Sequence, residues 1–163
     1  MTKGFTLIEL VLVIAVIFIV AIIALPRIVS INDFRQAAAT DKVRQDLSYA
    51  RDYAVNNNCR SRVLYNTAND SYTVTSDLSG SWQDIADPAT HTSPFTVTLN
   101  QGAFIDVEIT GVNFDGQVTV EFDSLGRPYS YDGSSSTLLS SDGSVTLTGS
   151  DTVTVTRDMG RIN

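Results

Sequence analysis

Hydrophobic and polar positions divide the chain into three regions with different periods. Residues 7–25 are almost all apolar, and Glu9 is the one charged side chain among them. From there to about Asn56, apolar residues recur every three or four positions, which predicts one face of an amphipathic helix. After Arg60, apolar residues alternate with Thr and Ser, as in half-buried β-strands. The pattern therefore predicts a helix followed by a sheet.

The apolar run has the length of a membrane span. Residues 5–25 carry a single charge, and as a helix they would extend about 31 Å, close to the hydrocarbon thickness of a bilayer. The run is longer than a secretory signal core, and no small-residue cleavage site follows it directly. We predict a transmembrane helix at residues 5–26. Basic residues are more numerous after the run than before it, which alone would place the C-terminal part in the cytoplasm.

The second region, residues 27–58, is predicted to continue as an amphipathic helix. Its apolar stripe consists of Val43, Leu47, Ala50 and Ala54. Pro26 has no N–H for the helical ladder, so we expect a kink there.

The remaining residues, 59–163, are predicted to form a β-rich head of seven or eight short antiparallel strands separated by Asp-Gly and Ser-Gly turns. Alternation is clearest at residues 63–65, 72–74, 95–99, 105–109, 118–122, 145–147 and 153–155. The predicted fold class is α+β, with a long N-terminal helix, half transmembrane and half amphipathic, packed on an antiparallel sheet.

The distribution of charge and the scarcity of Cys and His limit the classes of function that the chain could have. The chain has a net charge of −7; residues 27–62 carry a net +3 and residues 63–163 a net −10. Such an acidic head is poorly suited to general nucleic-acid binding, which depends on Lys and Arg. Cys59 is the one cysteine and His91 the one histidine, so no intramolecular disulfide is possible and no metal pair is expected. Without a catalytic constellation, we expect no enzymatic activity and no cofactor.

The N-terminal residues carry a specific resemblance. Gly4-Phe5-Thr6-Leu7-Ile8-Glu9, followed by about twenty apolar residues and Pro26, resembles the type III signal segment of type IV pilins and type II secretion pseudopilins. The resemblance implies that a prepilin peptidase cleaves after Gly4, removes the leader at residues 1–4 and methylates Phe5. It also implies a single-pass protein of the inner membrane whose head faces the periplasm, against the simple charge count.

Glu9 raises the question of why a carboxylate lies in an apolar helix. A charge at the bilayer centre costs roughly 2.5–3.5 kcal/mol on insertion scales. The resemblance implies a role in filament assembly, in which Glu9 pairs with the N-terminal amine of a neighbouring subunit and the pairing lowers that cost. The alternative is a carboxylate near the membrane edge that reaches the headgroups.

Three further segments resemble the GspH/FimT-type minor pseudopilins. They are Leu47-Ser48-Tyr49-Ala50-Arg51-Asp52-Tyr53-Ala54-Val55, Val120-Glu121-Phe122-Asp123-Ser124-Leu125-Gly126 and Thr154-Val155-Thr156-Arg157-Asp158-Met159-Gly160-Arg161-Ile162, a closing strand with a final Gly-Arg. The resemblance implies a minor structural subunit that initiates or caps a type II secretion pseudopilus or a type IV pilus. Its implied partners are other minor and major pilins or pseudopilins and the inner-membrane assembly platform.

Two alternative functions stay open. Some FimT-like proteins bind DNA through a C-terminal Gly-Arg-x-Arg, which here offers Arg161 and, nearby, Arg157 for a DNA-binding minor pilin of natural transformation. Asn163 replaces the second arginine of that motif, so we do not expect nucleic acid as a partner. The other alternative is a β-domain that uses the apolar run as a plain anchor, which has no need of Gly4-Phe5.

Overall fold

The computed structural model describes residues 6–163, apart from the side chains of residues 23–30 and 150. One long helix, α1 (Leu7–Asn57), precedes all the strands in this part of the chain. The strands are β1 (Ser61–Asn66), β2 (Ser71–Ser76), β3 (Gln83–Asp84), β4 (Phe95–Thr98), β5 (Ile109–Asn113), β6 (Thr119–Phe122), β7 (Pro128–Tyr131), β8 (Ser136–Leu138), β9 (Gly143–Leu147) and β10 (Thr152–Val155). The chain divides into two compact units between Phe34 and Arg35.

The unit Arg35–Asn163 contains the C-terminal part of α1 and two antiparallel sheets. The larger sheet has the order β3-β2-β1-β6-β7-β8, and β4 pairs with β2 beside β3. The smaller sheet has the order β10-β9-β5. This arrangement confirms the α+β class with a helix packed on antiparallel strands.

The helix contributes the predicted apolar stripe to the core. Val43, Leu47, Ala50 and Ala54 are all at most 1 % exposed and belong to one cluster with buried residues of both sheets. They lie on one face because steps of three and four residues return to the same side of a helix. The helix ends at Asn57, within one residue of the predicted end.

The strands differ from the prediction in number and in one position. The described part of the chain contains ten strands, because β3, β7 and β8 are too short or too polar to show a clear alternation. The strand predicted at residues 105–109 begins only at Ile109. Asp106 has a left-handed φ of 68°, which breaks the extended conformation, and its N–H donates to the Asn100 side chain at 3.2 Å.

The unit that ends at Phe34 holds the apolar N-terminal part of α1. Among the residues that the structure describes, no helix combines the length and the hydropathy of a membrane-crossing segment. Gly4 and Phe5 lie outside the described residues, and so does the side chain of Pro26. The cleavage site, the methylation site, the kink at Pro26 and the span at residues 5–26 stay predictions.

Candidate functional site

Thr6 and Glu9 form a capping box at the start of α1. The Thr6 N–H and hydroxyl each donate to Glu9 Oε2 at 2.9 Å, and the Glu9 N–H donates to Thr6 Oγ1 at 3.3 Å. These bonds satisfy N–H groups that a helix start otherwise leaves without a partner. Glu9 therefore has a structural role in its own chain, and the Thr-x-x-Glu spacing that signals it is visible in the sequence.

The apolar side chains after this cap are exposed on all sides of the helix. Between Leu7 and Ile22 the large apolar residues are 47–80 % exposed. Contiguous apolar surface of this size marks a site of contact with protein or membrane, because a soluble surface normally avoids it. This part of α1 therefore has the character of an interaction element.

The three sequence segments that resemble GspH/FimT proteins meet at the C-terminal end of α1. The Arg51 Nε donates to the Met159 carbonyl at 3.1 Å. A Cβ at Gly126 would lie 3.0 Å from the same Nε and 3.3 Å from the Val55 side chain. A Cβ at Gly160 would overlap the Gly126 carbonyl oxygen. Segments more than 30 residues apart in sequence therefore form one packed cluster.

The turn at residues 123–126 is fixed by the Asp123 carboxylate. Its Oδ1 accepts the N–H groups of Leu125 and Arg127, each at 2.9 Å, and its Oδ2 accepts the Arg127 Nε at 2.8 Å. Partial burial alone would raise the pKa of Asp123, but the hydrogen bonds from Arg127 and Leu125 outweigh it and lower the pKa below its ordinary value. The turn presents Leu125 to solvent, 70 % exposed.

The turn at residues 157–160 is stabilised by an internal hydrogen bond and packs closely against the turn at residues 123–126. The Gly160 N–H donates to the Thr156 carbonyl at 2.9 Å, and Gly160 adopts a left-handed φ of 59°. Glycine is needed here because a side chain would be both strained and in collision with the neighbouring turn. Met159 at the tip of this turn is 70 % exposed.

The two arginines considered for DNA contact take part in the fold of the tail. The Arg157 Nη1 donates to the Ser140 carbonyl at 3.0 Å, and its Nε lies 3.4 Å from the Asp158 carboxylate. The Arg161 carbonyl accepts the Thr156 N–H at 2.8 Å. Beyond it, Asn163 and Thr154 exchange backbone hydrogen bonds, so the tail extends the smaller sheet beside β10.

Several basic residues of the helix form ion pairs within the chain. Arg35 pairs with Asp106, Arg44 with Asp41, and Lys42 with Asp46. The last pair is unlike the others because Asp46 is only 4 % exposed.

Asp46 connects the helix to the larger sheet. The Lys42 Nζ contacts both carboxylate oxygens of Asp46 at 2.8 Å, and the Tyr72 hydroxyl of β2 donates to its Oδ2 at 2.6 Å. Burial raises the pKa of Asp46, and the bonds from Lys42 and Tyr72 only partly offset this. A buried polar link of this kind fixes the position of the helix on β2.

The surroundings of Cys59 and His91, as the structure describes them, do not indicate a reactive or metal-binding site. Cys59 is partly buried, and burial raises the pKa of its thiol, which disfavours the reactive thiolate. His91 is exposed in the connection between β3 and β4. Within the described residues, no group of three or more His, Cys, Asp or Glu side chains is arranged to hold a metal ion.

A capped apolar helix that continues into an amphipathic helix packed on antiparallel sheets defines a pilin-like subunit. A family model described as type II transport protein GspH matches residues 39–159, which include Arg51 and the turn at residues 123–126 and end at Met159, within the second turn. The chain belongs to this family of structural pseudopilins of type II secretion, as its motifs indicated. No curated protein matches the chain. No solved structure matches it either.

Proposed function

We propose that the chain is a minor pseudopilin that initiates or caps the pseudopilus of a type II secretion system. The observation that carries the proposal is the apolar, capped N-terminal part of α1, which is 47–80 % exposed at its large apolar residues and is joined to a GspH head. Exposed apolar helices of this kind are buried by lipid or by other helices of a bundle. A subunit stored in the membrane and then assembled into a filament uses both environments.

In this proposal, a prepilin peptidase cleaves after Gly4 and methylates Phe5. The apolar helix anchors the subunit in the inner membrane, and the head lies in the periplasm. Glu9 then pairs with the amine of a neighbouring subunit during assembly on the inner-membrane platform. The Thr6 contacts support this sequence of events, because they give the carboxylate hydrogen-bond partners before any neighbour arrives.

The test is to purify the tagged full chain from its native cell after crosslinking and to identify both its N-terminus and its partners by mass spectrometry. We expect a methylated Phe5 at the N-terminus and other type II pseudopilins among the partners. A chain that still begins with Met1 and has no pseudopilin partner would overturn the proposal.

Two variants of Glu9 separate its proposed charge from its role as a cap. Glu9→Gln keeps a side chain that can accept the Thr6 N–H, as capping boxes with Gln do, whereas Glu9→Ala loses cap and charge together. If the charge is needed for assembly, both variants enter the membrane and both fail to enter the filament. Normal incorporation of Glu9→Gln would reduce Glu9 to a helix cap.

A further inference from the structure

Two exposed apolar side chains lie on adjoining turns at the C-terminal end of α1. Leu125 and Met159 are each 70 % exposed, and Val55 of the helix beside them is 41 % exposed. The turns touch, because a Cβ at Gly160 would meet the Gly126 carbonyl and one at Gly126 would lie 3.3 Å from Val55. We call Val55, Leu125 and Met159 the turn patch.

The backbone under the turn patch is fixed by specific contacts. Asp123 holds the first turn by accepting the Leu125 N–H at 2.9 Å. Arg51 holds the second turn through the Met159 carbonyl at 3.1 Å. The apolar side chains are therefore presented on a prearranged surface, which lowers the entropy lost when a partner binds. Turn tips usually carry polar residues, so Leu and Met here call for an explanation beyond the fold.

The charges around the patch favour a protein partner over a nucleic acid. Three arginines of the neighbouring segments each contact a carboxylate, and a fourth, Arg161, is exposed beside the second turn. Arg51 lies 3.3 Å from Asp52, Arg127 2.7 Å from Asp123, and Arg157 3.4 Å from Asp158. Four arginines thus stand beside three aspartates, which leaves little excess charge, and a polar rim around an apolar centre is the usual anatomy of a protein interface. Phosphate binding would require an excess of positive charge.

The size of the patch indicates what kind of protein binds. It consists of three side chains, two of them 70 % exposed and one 41 % exposed, so its apolar area is at most a few hundred Å², which is the range of single patches on monomers. A stable, independent complex buries about 800 Å² on each partner. The turn patch is too small to hold a freely diffusing protein or to make a dimer by itself. It suits a partner that a second contact already holds close, because a high effective concentration lets a small contact act.

We propose that the turn patch docks on the head of another pseudopilin whose apolar helix packs beside α1 in the same filament. This inference rests on the proposed function, since the helix bundle supplies the second contact. The large apolar residues at 47–80 % exposure between Leu7 and Ile22 provide that contact, and the turn patch adds selectivity for the neighbouring head. Loss of the patch then weakens a specific neighbour contact without detaching the helix from the bundle.

The test places a photo-crosslinking amino acid, p-benzoylphenylalanine, at single positions of the full chain in its native cell. Positions 125 and 159 probe the patch. Positions 118 and 138 are matched controls, because Val118 and Leu138 are exposed apolar residues of the larger sheet region at 47 % and 46 %. Position 17 probes the apolar helix, where Ile17 is 61 % exposed. Adducts are identified by mass spectrometry.

We expect adducts with one other pseudopilin head from positions 125 and 159, and from neither control position. Adducts from position 17 without any from 125 and 159 would overturn the docking inference and leave the proposed function standing. Equal adducts from all four head positions would also overturn it, because the patch would then have no selectivity. Failure at every position, including 17, would count against the proposed function itself.

A quantitative arm uses the paired variant Leu125→Ser with Met159→Gln. Crosslinking from a probe at position 55 to the neighbouring head should fall about tenfold or more, since burying one such side chain is worth roughly 1.5–3 kcal/mol. Val118→Ser with Leu138→Ser should leave that yield unchanged. An unchanged yield in the patch variant, with normal folding by circular dichroism, would contradict the inference.

Discussion

Arg62 and Glu121 face each other across β1 and β6 and form a buried ion pair. They are register partners, the Arg62 Nε lies 2.7 Å from Glu121 Oε1, and the Glu121 side chain is 1 % exposed. The Arg62 guanidinium is stacked between the rings of Trp82 and Tyr131, 3.8 and 3.7 Å from their centroids. One arginine thus joins β1, β6, β7 and the connection before β3.

We expect Glu121→Gln to destabilise the head by about 3 kcal/mol, because removing one partner leaves a buried arginine without its charge partner. The measurement is urea unfolding of the full chain in detergent, followed by the emission of Trp82, the one tryptophan. Asp41→Asn is the control, since Asp41 and its partner Arg44 are exposed at 61 % and 38 %. That change should cost less than about 1 kcal/mol. Equal losses in both variants would show that the buried Arg62–Glu121 pair contributes no more to the stability of the head than an exposed ion pair does.

Arg51 is expected to hold the tail turn in place. Arg51→Ala should cost about 1–2 kcal/mol, because it removes the hydrogen bond to the Met159 carbonyl and the packing against Gly126. Amide hydrogen exchange should accelerate at residues 157–161, while exchange in β1 and β6 stays near its original rate. Arg44→Ala is the matched control, because the Arg44 side chain forms a salt bridge with Asp41 of the same helix. Unchanged exchange in the tail turn would contradict this role.

Gly160→Ala should cost about 2–4 kcal/mol, because it combines left-handed backbone strain with a collision at the Gly126 carbonyl. Gly80→Ala separates the two effects, since Gly80 has a φ of 80° with nothing within 4 Å of an added Cβ. That control should lose only about 1 kcal/mol, the strain alone. Thermal unfolding of both variants measures the difference. Similar losses of stability in the two variants would mean that an added Cβ at position 160 does not collide with the Gly126 carbonyl.

Local sequence patterns predicted those parts of the fold that depend on neighbours in the chain. The stripe from Val43 to Ala54 followed from helical spacing, and strands β1 and β2 followed from the alternation at residues 63–65 and 72–74. The strand at Ile109 was misplaced because Asp106 leaves the extended conformation, and the apolar alternation of residues 105–109 carries no sign of that change.

Contacts between distant segments could not be predicted in the same way. Nothing in the pattern of β1 and β6 sets Arg62 opposite Glu121, because register depends on the whole sheet. The resemblance to GspH/FimT proteins marked Arg51, Gly126 and Gly160 as separate motifs, and only the fold shows that they touch. The spacing of Thr6 and Glu9 is by itself sufficient to predict the capping role of Glu9, because both partners of a capping box lie in the same helical turn.

Asp46 and Asp123 should affect stability in opposite directions as pH changes. The pKa of Asp46 is raised from 3.8 by burial, so the folded state holds its proton more tightly than the unfolded state. Stability from this group is fully present below about pH 4 and declines as pH rises through its folded pKa. The pKa of Asp123 is lowered from 3.8, so its stability is fully present above about pH 4 and is lost as pH falls.

The measurement is the free energy of unfolding of the full chain between about pH 2.5 and 7, compared with Asp46→Asn and Asp123→Asn. The stability difference between the original chain and Asp123→Asn should grow as pH rises from about 2.5 to 4.5, because only the original chain gains an ionised, hydrogen-bonded carboxylate. The difference between the original chain and Asp46→Asn should shrink as pH rises above about 4, because only the original chain then buries a charge. If both differences moved in the same direction, Lys42 and Tyr72 would have compensated fully for the burial of Asp46, and the link between α1 and β2 would be a favourable ion pair at neutral pH.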